Sequence, residues 1–390
     1  MRKAVKRTIA HVREQFLPPS ETFVYQFING AQKTRPVAVY AQRHNESAFP
    51  WDDVYPISYP GRLSHRRLAV AFLRATRIRR YANSMEGVYL KAFRELRPDL
   101  VHAHFGTMGV NVMRACEQLG IPLVVGFYGY DFAVLPAAEE RWRDGYSRLF
   151  RLASHVVVLS TFAAGQLQRL NCPVEKIAVI HAGVDLDQIS FEERKPASGR
   201  PMRFLGVGRL VEKKGTRYAL EAVANTRRKY VDITYAHIGA GPLEKELKSL
   251  AIELGVDDIC DFRGAQPHSA VLQALREADV LLMPSVTSAN GDVESQGVAL
   301  QEAQAMGLPV IATFHNGFQE GIAVGESGFL VPERNGEALA ERMSYLIEHQ
   351  ESWAAMGQRG RALIEERFDA RKECEKLESL YESILDHAKS

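Results

Sequence analysis

The chain has 390 residues, 46% of them apolar and 25% charged, with a formal net charge of +2. That length suits two domains better than one, and the composition is that of an ordinary globular protein. No apolar run approaches the ~20 residues of a membrane span. The four cysteines, Cys116, Cys172, Cys260 and Cys374, form no C-x-x-C pair, which argues against a disulfide framework or a zinc site and for reduced thiols in a cytoplasmic protein.

The N-terminal segment MRKAVKRTIAHVREQF is basic but has no apolar h-region, so it reads as a short first strand, Thr8 to Val12, behind a charged tail rather than as a secretory signal. Further strands are expected at PVAVYA, LVHAHF, PLVVGFY, HVVVLS and KIAVI. Between them lie helical patterns at residues 21–29, 66–81, 85–96, 110–119, 139–152 and 162–170. Short apolar strands alternating with helices predict a parallel sheet covered on both faces. The stretch LDQISFEERKPASGR, residues 186–200, breaks the pattern and reads as a linker. A second series follows, with strands at RFLGVG, DITYAHIG, ICDFRG, VLLMPS and PVIAT, and a charged helical tail from Gln350 to Lys389. The expected class is therefore α/β with two Rossmann-like, doubly wound domains. They are assigned to residues 1–185 and 201–365, with a C-terminal helix from 366 to 390. Domains facing one another would place their strand C-termini across a common cleft.

Charge is uneven along this plan. Residues 1–195 carry 27 Lys and Arg against 18 Asp and Glu, a net +9, and the remainder carries a net −7. The excess could face something anionic, although solvated helix faces would also produce it. Arg62, Arg66, Arg67, Arg74, Arg77, Arg79 and Arg80 interleave with Leu68, Val70, Phe72, Leu73 and Ile78. That amphipathic basic stretch could rest on an anionic bilayer or hold a lipid-linked diphosphate. No aromatic stacking series accompanies it, so nucleic acid is not the expected partner.

Candidate chemistry concentrates at strand ends. In GRLVEKKG, Arg209 and Lys214 stand five apart on a tight loop opening a helix, a placement that suits a phosphate or diphosphate. It is not the G-x-x-x-x-G-K-[ST] loop of an ATPase. HIGAGP brings Gly239 and Gly241 to the next strand end but lacks the third glycine of a dinucleotide fingerprint. VLLMP then leads through a loop of small residues to Glu294-Ser295-Gln296-Gly297 and a short helix from Val298, stopped by Gly307 and Pro309. Glu294 falls in that loop and Glu302 in the second turn of the helix. Two carboxylates admit a glycosidase pair. However, a buried Glu302 needs hydrogen-bond partners, which ribose hydroxyls would supply. In the first half, His104, Tyr128 and Asp131 lie at strand ends and are candidates to touch a sugar or an acceptor. Asp185-Leu186-Asp187 matches a metal-binding D-x-D by letter only and reads as a solvated turn.

Taken together, these residues resemble the retaining glycosyltransferases of the GT-B fold, family 4, over nearly the whole chain. Glu294 to Glu302 resembles that family's E-x7-E motif and GRLVEKKG its diphosphate loop. HIGAGP, Phe262-Arg263-Gly264 and Pro284-Ser285 follow in family order. The resemblance implies that Arg209 and Lys214 neutralise the donor diphosphate, with Glu294 as the third catalytic residue, holding the sugar. The backbone around Gln296, Gly297 and Val298 would hold hydroxyls and phosphates, Glu302 the ribose, and Arg263 and Gly264 the base. Ser20, Glu21, His104, Tyr128 and Asp131 would serve the acceptor or sugar, and the C-terminal helix would cross back onto the first domain. No cofactor or metal is implied. The donor would be a nucleotide diphosphate sugar, with UDP favoured and GDP admissible. The acceptor would be a glycan or lipid-linked saccharide, used in the cytoplasm at the inner face of the plasma membrane.

This chain departs from the family in having Tyr128-Gly129 where many members have His-Gly. The PSETF and YGYD features resemble the subgroup that builds bacterial exopolysaccharide, capsule or lipopolysaccharide. Two rival readings accompany this one, a sugar-nucleotide epimerase of the same fold and an inactive nucleotide- or glycan-binding protein.

Overall fold

A computed structural model describes residues 6–18, 21–59 and 84–387. Ser20 and the basic stretch from Arg62 to Arg80 therefore lie outside the described residues. The chain divides into two compact units, one of residues 1–180 with 371–390 and the other of residues 181–370.

The first unit is built on a seven-stranded parallel sheet. In chain order its strands are β1 (Thr8–Val12), β3 (Arg35–Tyr40), β5 (Val54–Pro56), β6 (Leu100–His104), β7 (Leu123–Phe127), β8 (His155–Val158) and β9 (Ile177–Val179). Across the sheet they run β5-β3-β1-β6-β7-β8-β9. Two-residue strands β2 (Gln15–Phe16) and β4 (Gln42–Arg43) pair beside it. The interior strands β6 and β7 are buried at every position, as a sheet with helices on both faces requires. Those helices include α1 (Thr22–Asn29), α2 (Ser84–Leu96), α3 (Gly106–Leu119) and another at Glu140–Leu152.

The second unit has six parallel strands, β10 (Met202–Val207), β11 (Ile233–Ile238), β12 (Cys260–Phe262), β13 (Val280–Met283), β14 (Val310–Thr313) and β15 (Gly328–Val331). Their spatial order is β12-β11-β10-β13-β14-β15, the 3-2-1-4-5-6 winding of a dinucleotide-type sheet. Alternating residues feed two cores. Phe204, Tyr235 and Leu282 pack with Ala219, Val223, Leu339 and Met343 on one face. Leu205, Leu281 and Val310 pack with Leu275, Leu300 and Ala303 on the other. Strand β15 was not expected from the sequence, because GFLV is only four residues long and opens on glycine.

In both sheets the order reverses beside the first strand, between β1 and β6 and between β10 and β13. Side chains at the C-terminal ends of these strands are where a parallel sheet offers a ligand crevice. Arg13 and His104 stand there in the first unit, and Gly208 and Pro284 in the second.

The stretch 186–200, expected as a linker, instead packs along the second unit. Ile189 is buried. The Arg194 guanidinium reaches the carbonyl oxygens of Leu275, Arg276, Ala278 and Met306. Four such acceptors compensate the burial of a charge that cannot be lost by deprotonation, so polarity here marks a buried cation and not a free tether. The helical tail breaks at Phe368. Its last helix, Ala370–His387, belongs with the first unit from Arg371 onward. There the buried Glu378 carboxylate accepts the backbone N–H groups of Gln32, Lys33 and Thr34 and the Thr34 hydroxyl.

Candidate functional site

In the second unit the loop after β10 passes through Gly208, Arg209 and a single turn at Glu212–Lys214 before the helix Thr216–Arg227. Gly215 makes that approach possible. It sits at φ +64°, and a Cβ there would lie 1.8 Å from the Pro284 carbonyl oxygen. Only glycine allows this loop to close on the end of β13. The consequence is an ion pair, with Lys214 Nζ 2.6 Å from Glu294 Oε2. Burial alone would raise the Glu294 pKa. The charges of Lys214 and Lys213 and the Lys214 hydrogen bond override it and hold the group at about 2. Lys213 donates to Asp292 Oδ1 at 3.1 Å and to the Val293 carbonyl at 3.0 Å, tying down the same loop. Arg209 is exposed.

Glu294 is also fixed through its backbone. Its N–H donates to His315 Nε2 at 3.0 Å and its carbonyl accepts from Asn316 Nδ2 at 2.9 Å. Gly297, at φ +79°, begins the helix Val298–Ala305. The first N–H groups of such a helix have no intrahelical acceptor and face the loop as an anion-binding end. Gln296 does not offer its side chain to a ligand, because Oε1 and Nε2 bond the N–H and carbonyl of Ala182 at 2.8 and 2.7 Å. Glu302 is buried in the second turn and pairs through Oε1 with His268 Nε2 at 2.7 Å. Hydrogen bonding to Glu302 raises the His268 pKa against the opposing effect of burial.

The HIGAGP loop packs against the Arg209 loop. His237 Nε2–H donates to the Gly208 carbonyl at 2.9 Å, and the Leu210 N–H donates to Ala240. The His237 ring is neutral, with burial lowering its pKa to about 4. Gly239 N–H donates to the Gly264 carbonyl at 2.8 Å, while Cβ atoms at Gly239 and Gly241 would meet the carbonyls of Gly208 and Leu210. Arg263 is exposed beside Asp261, 2.7 Å from its carboxylate. Beneath Lys214 a cavity of about 10 Å³ is lined by Thr216, Tyr235, His237 and Ser285, room for about one water. The buried hydroxyls of Thr216 and Ser285 have no hydrogen-bond partner within the protein.

In the first unit, the described residues among those expected to serve the acceptor or sugar are held by partners within the protein. Tyr128 folds back so closely that a Cβ on Gly126 would lie 2.0 Å from its hydroxyl. That hydroxyl meets His104 Nδ1 at 2.8 Å, and His104 Nε2 meets His11 Nδ1 at 3.0 Å. Both ring nitrogens of the fully buried His104 are thus taken by the protein. Asp131 is 1% exposed, and its two oxygens accept the N–H groups of Gly106, Tyr128 and Gly129. It shapes the loop and presents no free oxygen. Glu21 is gripped in a fork by Arg13 at 2.6 and 2.9 Å, and Arg13 in turn lies 4.0 Å over the Phe105 ring. Phe105 adopts φ +75° to begin α3, a conformation that costs a non-glycine residue strain.

His11, His102 and His104 are the one cluster of metal-ligating type found among the described residues. Their rings are stacked, His11 on His104 at 16° and His102 on His104 at 29°. His11 Nδ1 and His104 Nε2 face one another at 3.0 Å, the distance of a hydrogen bond that one of the two donates, and the other ring nitrogen of His104 is taken by Tyr128. Burial lowers the pKa of all three, His11 to about 3. The trio therefore fits a neutral hydrogen-bonded core, extended by His102 Nδ1 to Tyr381 at 2.6 Å. Asp185 uses its carboxylate to accept from the Asp187 N–H and the Gln188 amide, closing a local turn. All four cysteines are free thiols.

Comparison with known proteins places this arrangement. A family model for glycosyl transferases group 1 matches residues 187–363, and one for Glycosyltransferase Family 4 matches residues 20–188. WcaL of Escherichia coli K12, named as a colanic acid biosynthesis glycosyltransferase, is 34% identical over 319 residues, covering 80% of this chain and 78% of its own length. The chain belongs to glycosyltransferase family 4. AmsK of Erwinia amylovora, an amylovoran biosynthesis glycosyltransferase, is also 34% identical, over 70% of this chain and 67% of its own. The crystal structure of HepE from Anabaena, solved with UDP and glucose, superposes with a TM-score of 0.79 at 19% identity, over 97% of this chain and 100% of that one. At that identity the likeness shows the fold, two Rossmann-like units of the GT-B class.

The sequence of this family 4 protein singles out Lys214, Glu294 and Glu302 but not the residues that pair with them or tie down their loops, namely Lys213, Asp292, His268, His315, Asn316 and Glu333. Asp292 was signalled by its place two residues before Glu294. His315 and Asn316 were signalled by polar residues following the buried strand PVIAT. Glu333 carried no local signal.

Proposed function

We infer that this glycosyltransferase moves a hexose from a nucleotide diphosphate sugar, a UDP-sugar in preference to a GDP-sugar, to a glycan or lipid-linked saccharide in bacterial surface polysaccharide synthesis. The transfer retains the anomeric configuration and uses no metal. Family membership supports the reaction class, and the names of WcaL and AmsK support the polysaccharide context. HepE, of the same fold, was solved with UDP-glucose.

The observation that carries the reading is the Lys214–Glu294 contact, made in the loop that leads into the helix Val298–Ala305. An ammonium has three donors. One meets Glu294, which leaves two for phosphate oxygens as the glycosidic C–O bond breaks. Arg209 and the helix end add positive charge, doing what a divalent ion does elsewhere. A carboxylate held at about 2 by two lysines is a weak base and a weak nucleophile. Glu294 is therefore suited to accepting hydrogen bonds from sugar hydroxyls and unsuited to attack on the anomeric carbon. The departing phosphate takes the acceptor proton on the same face of the sugar. Glu302, with one oxygen on His268, keeps the other for ribose.

No helix among the described residues is long and apolar enough to cross a membrane. A lipid-linked acceptor would be met at the inner face of the plasma membrane, with the basic stretch from Arg62 to Arg80 in contact with anionic lipid. Replacing Arg74, Arg77, Arg79 and Arg80 should then weaken binding to anionic vesicles, and unchanged binding removes that role.

Product analysis with a panel of nucleotide sugars and a lipid-linked acceptor tests the reaction. Transfer with the donor's anomeric configuration supports it. Epimerised free nucleotide sugar, or nucleotide binding without turnover, replaces it with the epimerase or the inactive binder.

A further inference from the structure

The motif that identifies Glu294 does not say what holds it. Its carboxylate meets Lys214 only if the peptide planes on either side of residue 294 keep one orientation, and both are tethered from the loop after β14. His315 is fully buried, and its Nε2 accepts the Glu294 N–H at 3.0 Å. The Asn316 amide also reaches Nε2, at 2.9 Å, and donates to the Glu294 carbonyl at 2.9 Å. Asn316 adopts φ +45° to do so, a left-handed conformation that asparagine tolerates better than most residues. On the other side of the ring, Nδ1 lies 2.5 Å from Glu333 Oε1. Glu333 Oε2 accepts the Thr287 N–H at 2.9 Å. One imidazole thus joins the loops that follow β13, β14 and β15.

The protonation state follows from the partners. A backbone N–H can only donate, so Nε2 must carry a lone pair. Glu333, an acceptor, must then face a proton on Nδ1. Free histidine prefers its proton on Nε2, so the carboxylate selects the less common tautomer. Burial lowers the pKa of His315, which keeps the ring neutral against the opposing pull of Glu333.

We propose that His315, set in its Nδ1–H tautomer by Glu333, is a positioning residue that fixes Glu294 for the transfer step. The inference rests on the sugar-holding role given to Glu294 above. His315 touches neither donor nor acceptor. It acts by presenting a hydrogen-bond acceptor at one point, and Asn316 supplies the second tether.

The test uses the whole protein and the nucleotide sugar that the wild type consumes in the product screen. His315→Leu removes the acceptor and should lower kcat about 10- to 100-fold, as small misplacements of reacting groups do, with KM for the donor within about threefold. His315→Gln, whose amide oxygen can stand near the position of Nε2, should recover most of the loss. An equal loss in both variants, wild-type kcat in His315→Leu, or an effect on KM alone overturns the proposal. If His315→Leu does not fold, Asn316→Ala carries the test, with lowered kcat at unchanged KM supporting the proposal and unchanged kcat opposing it. Nitrogen-15 spectra of the ring at pH 7.5 decide the tautomer independently of turnover. A protonated Nδ1 with a bare Nε2 is expected, and the opposite tautomer or an imidazolium overturns it. A wild type that consumes no nucleotide sugar defeats the functional reading, while the ring spectrum still judges His315.

Discussion

Lys214 and Glu294, eighty positions apart in the chain, meet at 2.6 Å where the loops after β10 and β13 converge. Each neutralises the other before any substrate arrives. The pair orients the lysine and keeps the glutamate ionised.

Lys214→Ala should lower kcat by about 100-fold, the effect of removing one charged contact to a developing transition state. The same change strips Glu294 of its main counter-charge, so the carboxylate pKa should rise from about 2. Titration of Glu294 in the variant, followed by carbon-13 shifts of the side-chain carboxyl, checks the second effect separately from the first.

Glu302→Gln should act on binding rather than on the transfer step. Its free oxygen is assigned to ribose, and loss of a charged acceptor costs about 1.5 to 3 kcal/mol, or roughly 10- to 150-fold in Kd for the nucleotide. The kcat at saturating donor should change much less. Calorimetry and steady-state kinetics on the same preparation separate the two.

The pH dependence of stability has a definite sign. His11, His102 and His104 have folded pKa values depressed below the ordinary 6.5, chiefly by burial. The stability that they contribute as neutral rings is present above pH 6.5 and is lost as pH falls below it. Each ring still neutral in the folded state removes about 1.4 kcal/mol per pH unit. Glu294, depressed from 4.5 to about 2, adds a second loss below pH 4.5. Thermal melts between pH 7.5 and 5 should fall steeply. A flat profile over that range contradicts the neutral histidine core.

The final helix should be required by the first unit. Glu378, 3% exposed, satisfies three backbone N–H groups and one hydroxyl in the turn before β3. Glu378→Ala leaves those donors without an acceptor, at about 1 to 3 kcal/mol for each one that stays buried. A shift of the denaturation midpoint to lower denaturant at constant slope is the expected reading. A midpoint unchanged from wild type removes the helix from the first unit's stability.

The sequence and the structure agree where the information is local. Runs such as LVHAHF and VLLMP are too apolar and too short for anything but interior strands, and the E-x7-E spacing places one carboxylate in a loop and the next in a helix. Partnership over long distances was not legible. The backbone at Gln296 is a candidate from the sequence, but that its side chain bonds the N–H and carbonyl of Ala182, 114 positions away, is not visible there. Asp131 resembles a sugar contact until its oxygens are found on three backbone N–H groups. His315 and Glu333 join only because β14 and β15 are neighbours in register. Periodicity reports which face a side chain takes, and says nothing of which distant loop it meets there.

Calorimetric titration with UDP, GDP and ADP tests most directly the claim that the second unit is a nucleotide-sugar site. Saturable binding of UDP, weaker or absent binding of the other two, and a marked loss of affinity in Glu302→Gln are expected. Absence of binding by all three nucleotides would contradict that claim.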